Sequence, residues 1–98
     1  MTMQKVIVLF QCQPGKGKDL LSTLAEILGD TRAYDGCISV DTFVDADNPD
    51  TIMIIEDWET RTQNESYNAW RAETGIAETL TPILSAPPQT RYLETYPI

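Results

Sequence analysis

The chain has 98 residues, 42% of them hydrophobic and 22% charged, and its 7 basic against 15 acidic side chains give a net charge of −8. This fits one folded domain over residues 1–98 and excludes a disordered chain. The acidic balance, with no Lys/Arg cluster to offset it, argues against nucleic acid and anionic membranes as partners. No apolar run approaches the roughly 18–20 residues that span a bilayer. The first residues carry no small-residue cleavage site and read as a strand, so a cytoplasmic location with both cysteines reduced is expected. The chain has no histidine, which removes Ser-His-Asp and Cys-His catalysis, the commonest zinc sites and His-ligated haem.

Residues 5–13, KVIVLFQCQ, alternate as a strand with Val6, Val8, Phe10 and Cys12 on one face and Ile7 and Leu9 on the other. PGKGKD breaks it. From Asp19, the spacing of Leu20, Leu24, Ile27 and Leu28 predicts a helix to about Tyr34, closed by Gly36 with a positive φ. CISVDTFV (37–44) reads as a second strand, with Ile38, Val40 and Val44 set against Cys37 and Phe43. DADNPDT then makes a hairpin connection; its acids lack the spacing of a calcium loop.

TIMIIEDWE (51–59) is the third strand, with Ile52, Ile54, Glu56 and Trp58 on one face and Met53, Ile55 and Asp57 on the other. TQNE fits a capping box with Thr62 as N-cap and Glu65 three residues on. The second helix carries Tyr67 and Trp70 on a shared face. A shorter helical segment over 74–85 is interrupted near Pro82. The last strand places Tyr92, Glu94 and Tyr96 opposite Arg91, Leu93 and Thr95.

The order β-α-β-β-α-(α)-β predicts an α+β, ferredoxin-like split βαβ fold: a four-stranded antiparallel sheet with its helices on one face. Strands 1 and 3 are apolar on both sides, and the chain has no element left for the second face. A homodimer packed sheet against sheet follows. Cys12 and Cys37 fall on strands that are not neighbours in such a sheet, so no disulfide is expected.

QPGKGKDLL, TRAYDGCISVDTFVDADNPDTIMIIEDWE and the later YNAW together resemble the antibiotic biosynthesis monooxygenase (ABM) domain family. TRAYDGC and IEDWE are the most specific pieces. The resemblance implies a dimeric α/β barrel with a cavity between sheet and helices in each subunit. The family contains cofactor-independent quinone-forming monooxygenases and haem-degrading enzymes that use a helix histidine as axial ligand. With no histidine in the chain, the resemblance implies a cofactor-independent monooxygenase, needing no metal, flavin or haem, that oxidises a small planar phenolic or quinol-type molecule with O₂. The segment from Trp58 to YNAW is a few residues longer than the family pattern, and two positions depart from it. Trp70 stands at the helix position where many members carry histidine, and Ile54 stands where quinol oxygenases often carry asparagine. Those departures support the alternative of a non-catalytic dimer, small-molecule-binding or structural, with the same fold. An isomerase or aldehyde-handling enzyme on the same fold is a further alternative.

The candidate site lies in this second half of the chain. Trp58, Tyr67 and Trp70 are either core or a slot that stacks a flat aromatic ring. Glu56 shares a strand face with Trp58 and is a general base, the partner of Arg91 or Arg71 in an ion pair, or a link across the dimer. Arg91 and Asn68 are candidates to hold a developing oxyanion, the alternatives being a solvated edge charge for Arg91 and a place on the outer helix face for Asn68. Neither residue has a cofactor or metal to bind in this reading.

Overall fold

The computed structural model describes residues 3–98. The elements run β1 (Gln4–Gln11), α1 (Gly17–Ala33), β2 (Cys37–Asp45), β3 (Asn48–Trp58), α2 (Arg61–Glu73), α3 (Ile76–Leu80) and β4 (Gln89–Leu93). The sheet order is β2-β3-β1-β4 with every neighbouring pair antiparallel, the ferredoxin-like arrangement. Helix α1 covers one face through Leu20, Leu24 and Leu28, which pack with Phe10, Val40, Ile52 and Ile54 into the main core.

Helix α1 begins two residues before Asp19, and the cause lies across the fold. Its N-cap Lys16 offers no side-chain cap. Instead the Asp50 carboxylate, reaching over from β3, accepts the N–H groups of Gly15 and Gly17 at 3.0 and 2.9 Å. Such a carboxylate satisfies donors that a helix start leaves orphaned. Gly17 is required for this approach, because a Cβ there would stand 2.0 Å from the Pro49 carbonyl oxygen. At the far end, Gly36 takes φ +92° as anticipated.

Three local features depart from the sequence reading. The N-cap of α2 is Thr60 rather than Thr62: its Oγ1 accepts the Gln63 N–H at 3.2 Å and donates to Gln63 Oε1 at 2.9 Å. TRTQ and TQNE both fit the capping-box pattern; the helix takes the earlier one because β3 ends at Trp58, and Glu65 instead meets Arg61 at 3.5 Å. A register shift between Cys37 and Ser39 places Ile38 in a bulge. Cys37 therefore packs with the inner core on the same side as Val40, and Ile38 is half exposed. Finally, α3 is confined to Ile76–Leu80, ending before Pro82, and β4 stops at Leu93.

Register fixes the two faces of the sheet. Val40, Glu56, Val6 and Tyr92 form one transverse row on the helix side, and Asp41, Ile55, Ile7 and Arg91 form the next row, on the opposite side. That opposite face carries Leu9, Met53, Ile55 and Ile7 at its centre, with Phe43 52% and Leu93 40% exposed. No helix of the described chain covers this face.

Candidate functional site

The row containing Glu56 lies beneath α2 and builds a polar network inside the fold. Glu56 is 5% exposed and Asn64, directed down from α2, is 1% exposed. Trp58 Nε1–H donates to Glu56 Oε1 at 2.7 Å, and Asn64 Nδ2–H donates to the same oxygen at 3.4 Å. The Asn64 carbonyl accepts the Tyr92 hydroxyl at 2.7 Å and the Asn68 amide at 3.1 Å. Asn64 thus ties β4, α2 and the Glu56 carboxyl together. Arg61 lies over the outer side of Tyr92, its guanidinium carbon 3.9 Å from the ring centroid.

None of the ion pairs among the described residues involves Glu56. Burial raises its pKa, an effect that the Trp58 hydrogen bond only partly offsets. The same burial pushes up the Cys37 thiol and the Tyr92 phenol. The two arginines considered as ion-pair partners are engaged elsewhere. Arg71 donates to the Tyr67 hydroxyl and to the Ile27 carbonyl at 3.0 Å each. Arg91 lies exposed on the opposite face of the sheet, against the Thr90 carbonyl.

Beside the network stands an aromatic cluster. Trp58 is fully buried, with its ring centroid 5.4 Å from Tyr67 and 6.2 Å from Tyr34. Trp70, 37% exposed, lies 6.0 Å from Tyr67 and 5.8 Å from Tyr34. The Tyr67 hydroxyl is also hydrogen-bonded to Thr31, which joins α2 to α1. The three rings read from the sequence do converge, and Tyr34 joins them. Two open clefts are lined by other residues: a polar one of about 420 Å³ bordered by Gln4, Thr60, Arg61 and Leu93, and an apolar one of about 470 Å³ between α3 and Pro87–Pro88.

Of the residues anticipated for the site, Glu56, Trp58, Tyr67, Trp70 and Asn68 come together, and Arg91 does not. Asn64, Tyr92, Tyr34 and Arg61 were not anticipated. Tyr92 was within reach, since the last strand's alternation already separates it from Arg91. Asn64 gave no signal, because a polar residue in the first turn of a helix ordinarily faces water. Among the described residues, no group of three or more Cys, Asp or Glu is placed to hold a metal ion.

Comparison with known proteins places this geometry. No curated protein matches the chain by sequence. Among solved structures, PA3566 from Pseudomonas aeruginosa superposes with a TM-score of 0.85 at 18% identity, covering 99% of this chain and 97% of that one. A conserved protein from Methanosarcina mazei Go1 gives 0.85 at 17% identity, with 98% and 95% covered. A structure described as an antibiotic biosynthesis monooxygenase gives 0.84 at 23% identity, with 97% and 100% covered. At these identities the likeness shows the fold. The family model for antibiotic biosynthesis monooxygenase matches residues 3–80, and the chain belongs to that family.

Proposed function

We propose that the chain is a cofactor-independent monooxygenase that converts a small planar phenolic or quinol-type substrate to a quinone with O₂. The observation that carries this reading is Glu56, a buried carboxyl paired with no cation among the described residues and held by an indole and an amide beside four aromatic rings. Burial makes such a carboxyl more basic than usual, which suits proton abstraction from a phenol or enol. Trp58, Tyr67 and Trp70 supply the faces for a flat ring once the exposed Trp70 moves aside. The second amide hydrogens of Asn68 and Asn64 supply donors for the oxyanion. They take the role anticipated for Arg91, which the sheet separates from Glu56.

In this scheme Glu56 takes the substrate proton, and the carbanion-like anion adds O₂ to form a carbon–oxygen bond. The peroxide anion regains the proton. Loss of the remaining hydrogen from that carbon, with cleavage of the O–O bond, gives a carbonyl and water. One oxygen atom enters the product, the other leaves as water, and the substrate supplies all the electrons.

The exposed apolar face of the sheet supports the homodimer. Phe43, Met53 and Leu9 border a depression of about 210 Å³ there, and a second copy is the partner that the strand pattern calls for. Cys12 and Cys37 are free, in keeping with the cytoplasmic location proposed for the chain.

An oxygen electrode tests the activity. Hydroxynaphthalenes added to the wild type should give oxygen uptake that Glu56→Gln abolishes, and equal uptake by both would reject the role given to Glu56. One observation favours a second reading: Trp58 is fully buried and packed against Tyr34 and Tyr67, as a core ring would be. A non-catalytic dimer would show no oxygen uptake above autoxidation with any substrate of this class.

A further inference from the structure

The hydrogen bond between Trp58 and Glu56 has a chemical meaning that lies beyond the oxygenase reading. Of the four clustered rings, only Trp58 directs its polar hydrogen at a carboxylate, 2.7 Å away. The Tyr67 hydroxyl meets Thr31 and the Arg71 guanidinium, and the Tyr34 hydroxyl meets Ser66 at 3.1 Å. The rings form two routes from buried Trp58 to exposed Trp70, one through Tyr67 (5.4 and 6.0 Å) and one through Tyr34 (6.2 and 5.8 Å). Arg71 lies 4.7 Å from the Trp70 centroid and 5.4 Å from that of Tyr67. We infer that Trp58 and Glu56 form a proton-coupled one-electron redox site, connected to the surface at Trp70 through the ring cluster.

Electrostatics favour this step. An indole that loses an electron becomes a strong acid at its N–H. The proton then moves to Glu56 Oε1, leaving a neutral indolyl radical and a neutral carboxylic acid. The electron goes to a one-electron oxidant such as an organic peroxyl radical, which becomes a hydroperoxide with a proton from solvent. Before the step the interior holds an uncompensated carboxylate, which is costly to bury; after it, the pair carries no charge. Oxidation of Trp58 is thus favoured by the burial that makes the carboxylate unfavourable. The positive Arg71 guanidinium disfavours an electron vacancy on Trp70 or Tyr67, so a vacancy formed at the surface moves inward to Trp58.

The step requires an ionised Glu56. The groups around it are Val6 on β1, Cys37 and Val40 on β2, Trp58 on β3, Tyr92 on β4 and Asn64 on α2, with Arg32 bonded to the Val40 carbonyl and Arg61 and Glu65 beyond Tyr92. Cys37 and Tyr92 are the titratable ones in that inner shell, and both are pushed upward by burial. Around neutrality, then, a pH-dependent change at Trp58 reports on Glu56.

Flash–quench oxidation of the full chain with photogenerated tris(bipyridine)ruthenium(III), read by transient absorption and electron paramagnetic resonance, tests this without any substrate. The chain has two tryptophans, so Trp70→Phe leaves Trp58 alone. That variant should still form a neutral indolyl radical, more slowly than the wild type, and should form the cation radical instead once pH falls below the Glu56 pKa. Glu56→Gln should lose the neutral radical. No radical in Trp70→Phe, a neutral radical persisting in Glu56→Gln, or no changeover with pH would each overturn the inference. Since no O₂ chemistry is read, a negative result here leaves the oxygenase reading to its own test.

Discussion

Replacing Trp58 with Phe separates the buried hydrogen bond from the ring. The wild-type indole is fully buried and donates at 2.7 Å to a carboxyl that has one other donor, Asn64 at 3.4 Å. A hydrogen bond to a charged group contributes about 1.5–3 kcal/mol, and losing it leaves the buried oxygen short of a partner. Truncating a core Trp to Ala costs about 3–5 kcal/mol; Phe keeps its contacts with Tyr67 and Tyr34, so roughly a third of that applies. The two parts together predict a loss of about 3–4 kcal/mol, a large share of the 5–15 kcal/mol typical of a domain. Trp70→Phe, at an exposed ring with no hydrogen bond of this kind, should cost less than about 1 kcal/mol. Urea unfolding followed by far-ultraviolet circular dichroism, at fixed protein concentration because association shifts the midpoint, compares them. If Trp58→Phe cost no more than Trp70→Phe, the hydrogen bond would contribute little, and its assigned role in stability would be refuted.

Burial raises the Glu56 pKa above its ordinary value of 4.5, so the folded chain keeps a proton that the unfolded chain releases. Its stabilising contribution is complete below the unfolded pKa and is lost as pH rises through the folded one. Glu56→Gln cannot ionise, so its stability relative to wild type should improve as pH rises above about 5 in paired melts. A flat difference across pH would contradict the burial. Gly17→Ala should destabilise by about 3 kcal/mol, the upper end for overpacking, because its Cβ meets the Pro49 carbonyl at 2.0 Å; chemical denaturation measures it. Phe43→Asp, on the exposed sheet face, should shift sedimentation from dimer to monomer while leaving the circular dichroism unchanged.

The fold was legible because its signals are periodic. Leu20, Leu24 and Leu28 mark the buried stripe of α1, and the two-sided apolar character of β1 and β3 marks a central position in the sheet. Boundaries were less legible where a partner distant in sequence decides them. The start of α1 depends on Asp50, and two overlapping Thr-x-x-Glu/Gln windows competed for the start of α2. In the site, Glu56 and Trp58 were evident from their shared strand face. Asn64 and Tyr34 were not, because their burial depends on how α2 and the end of α1 meet. The failure of Arg91 to reach Glu56 follows from alternation along a strand that also carries Tyr92, and only the β1–β4 register shows which of the two points inward.

Isotope labelling tests the proposed oxygenase chemistry most directly. A hydroxynaphthalene turned over under ¹⁸O₂ should give a quinone carrying one heavy oxygen atom, with the other recovered in water, in amounts that depend on wild-type enzyme and fall to the uncatalysed level with Glu56→Gln. Quinone whose new oxygen comes from water, or labelled quinone formed equally by the variant, would contradict the assignment of O₂ chemistry to Glu56 and its surrounding rings.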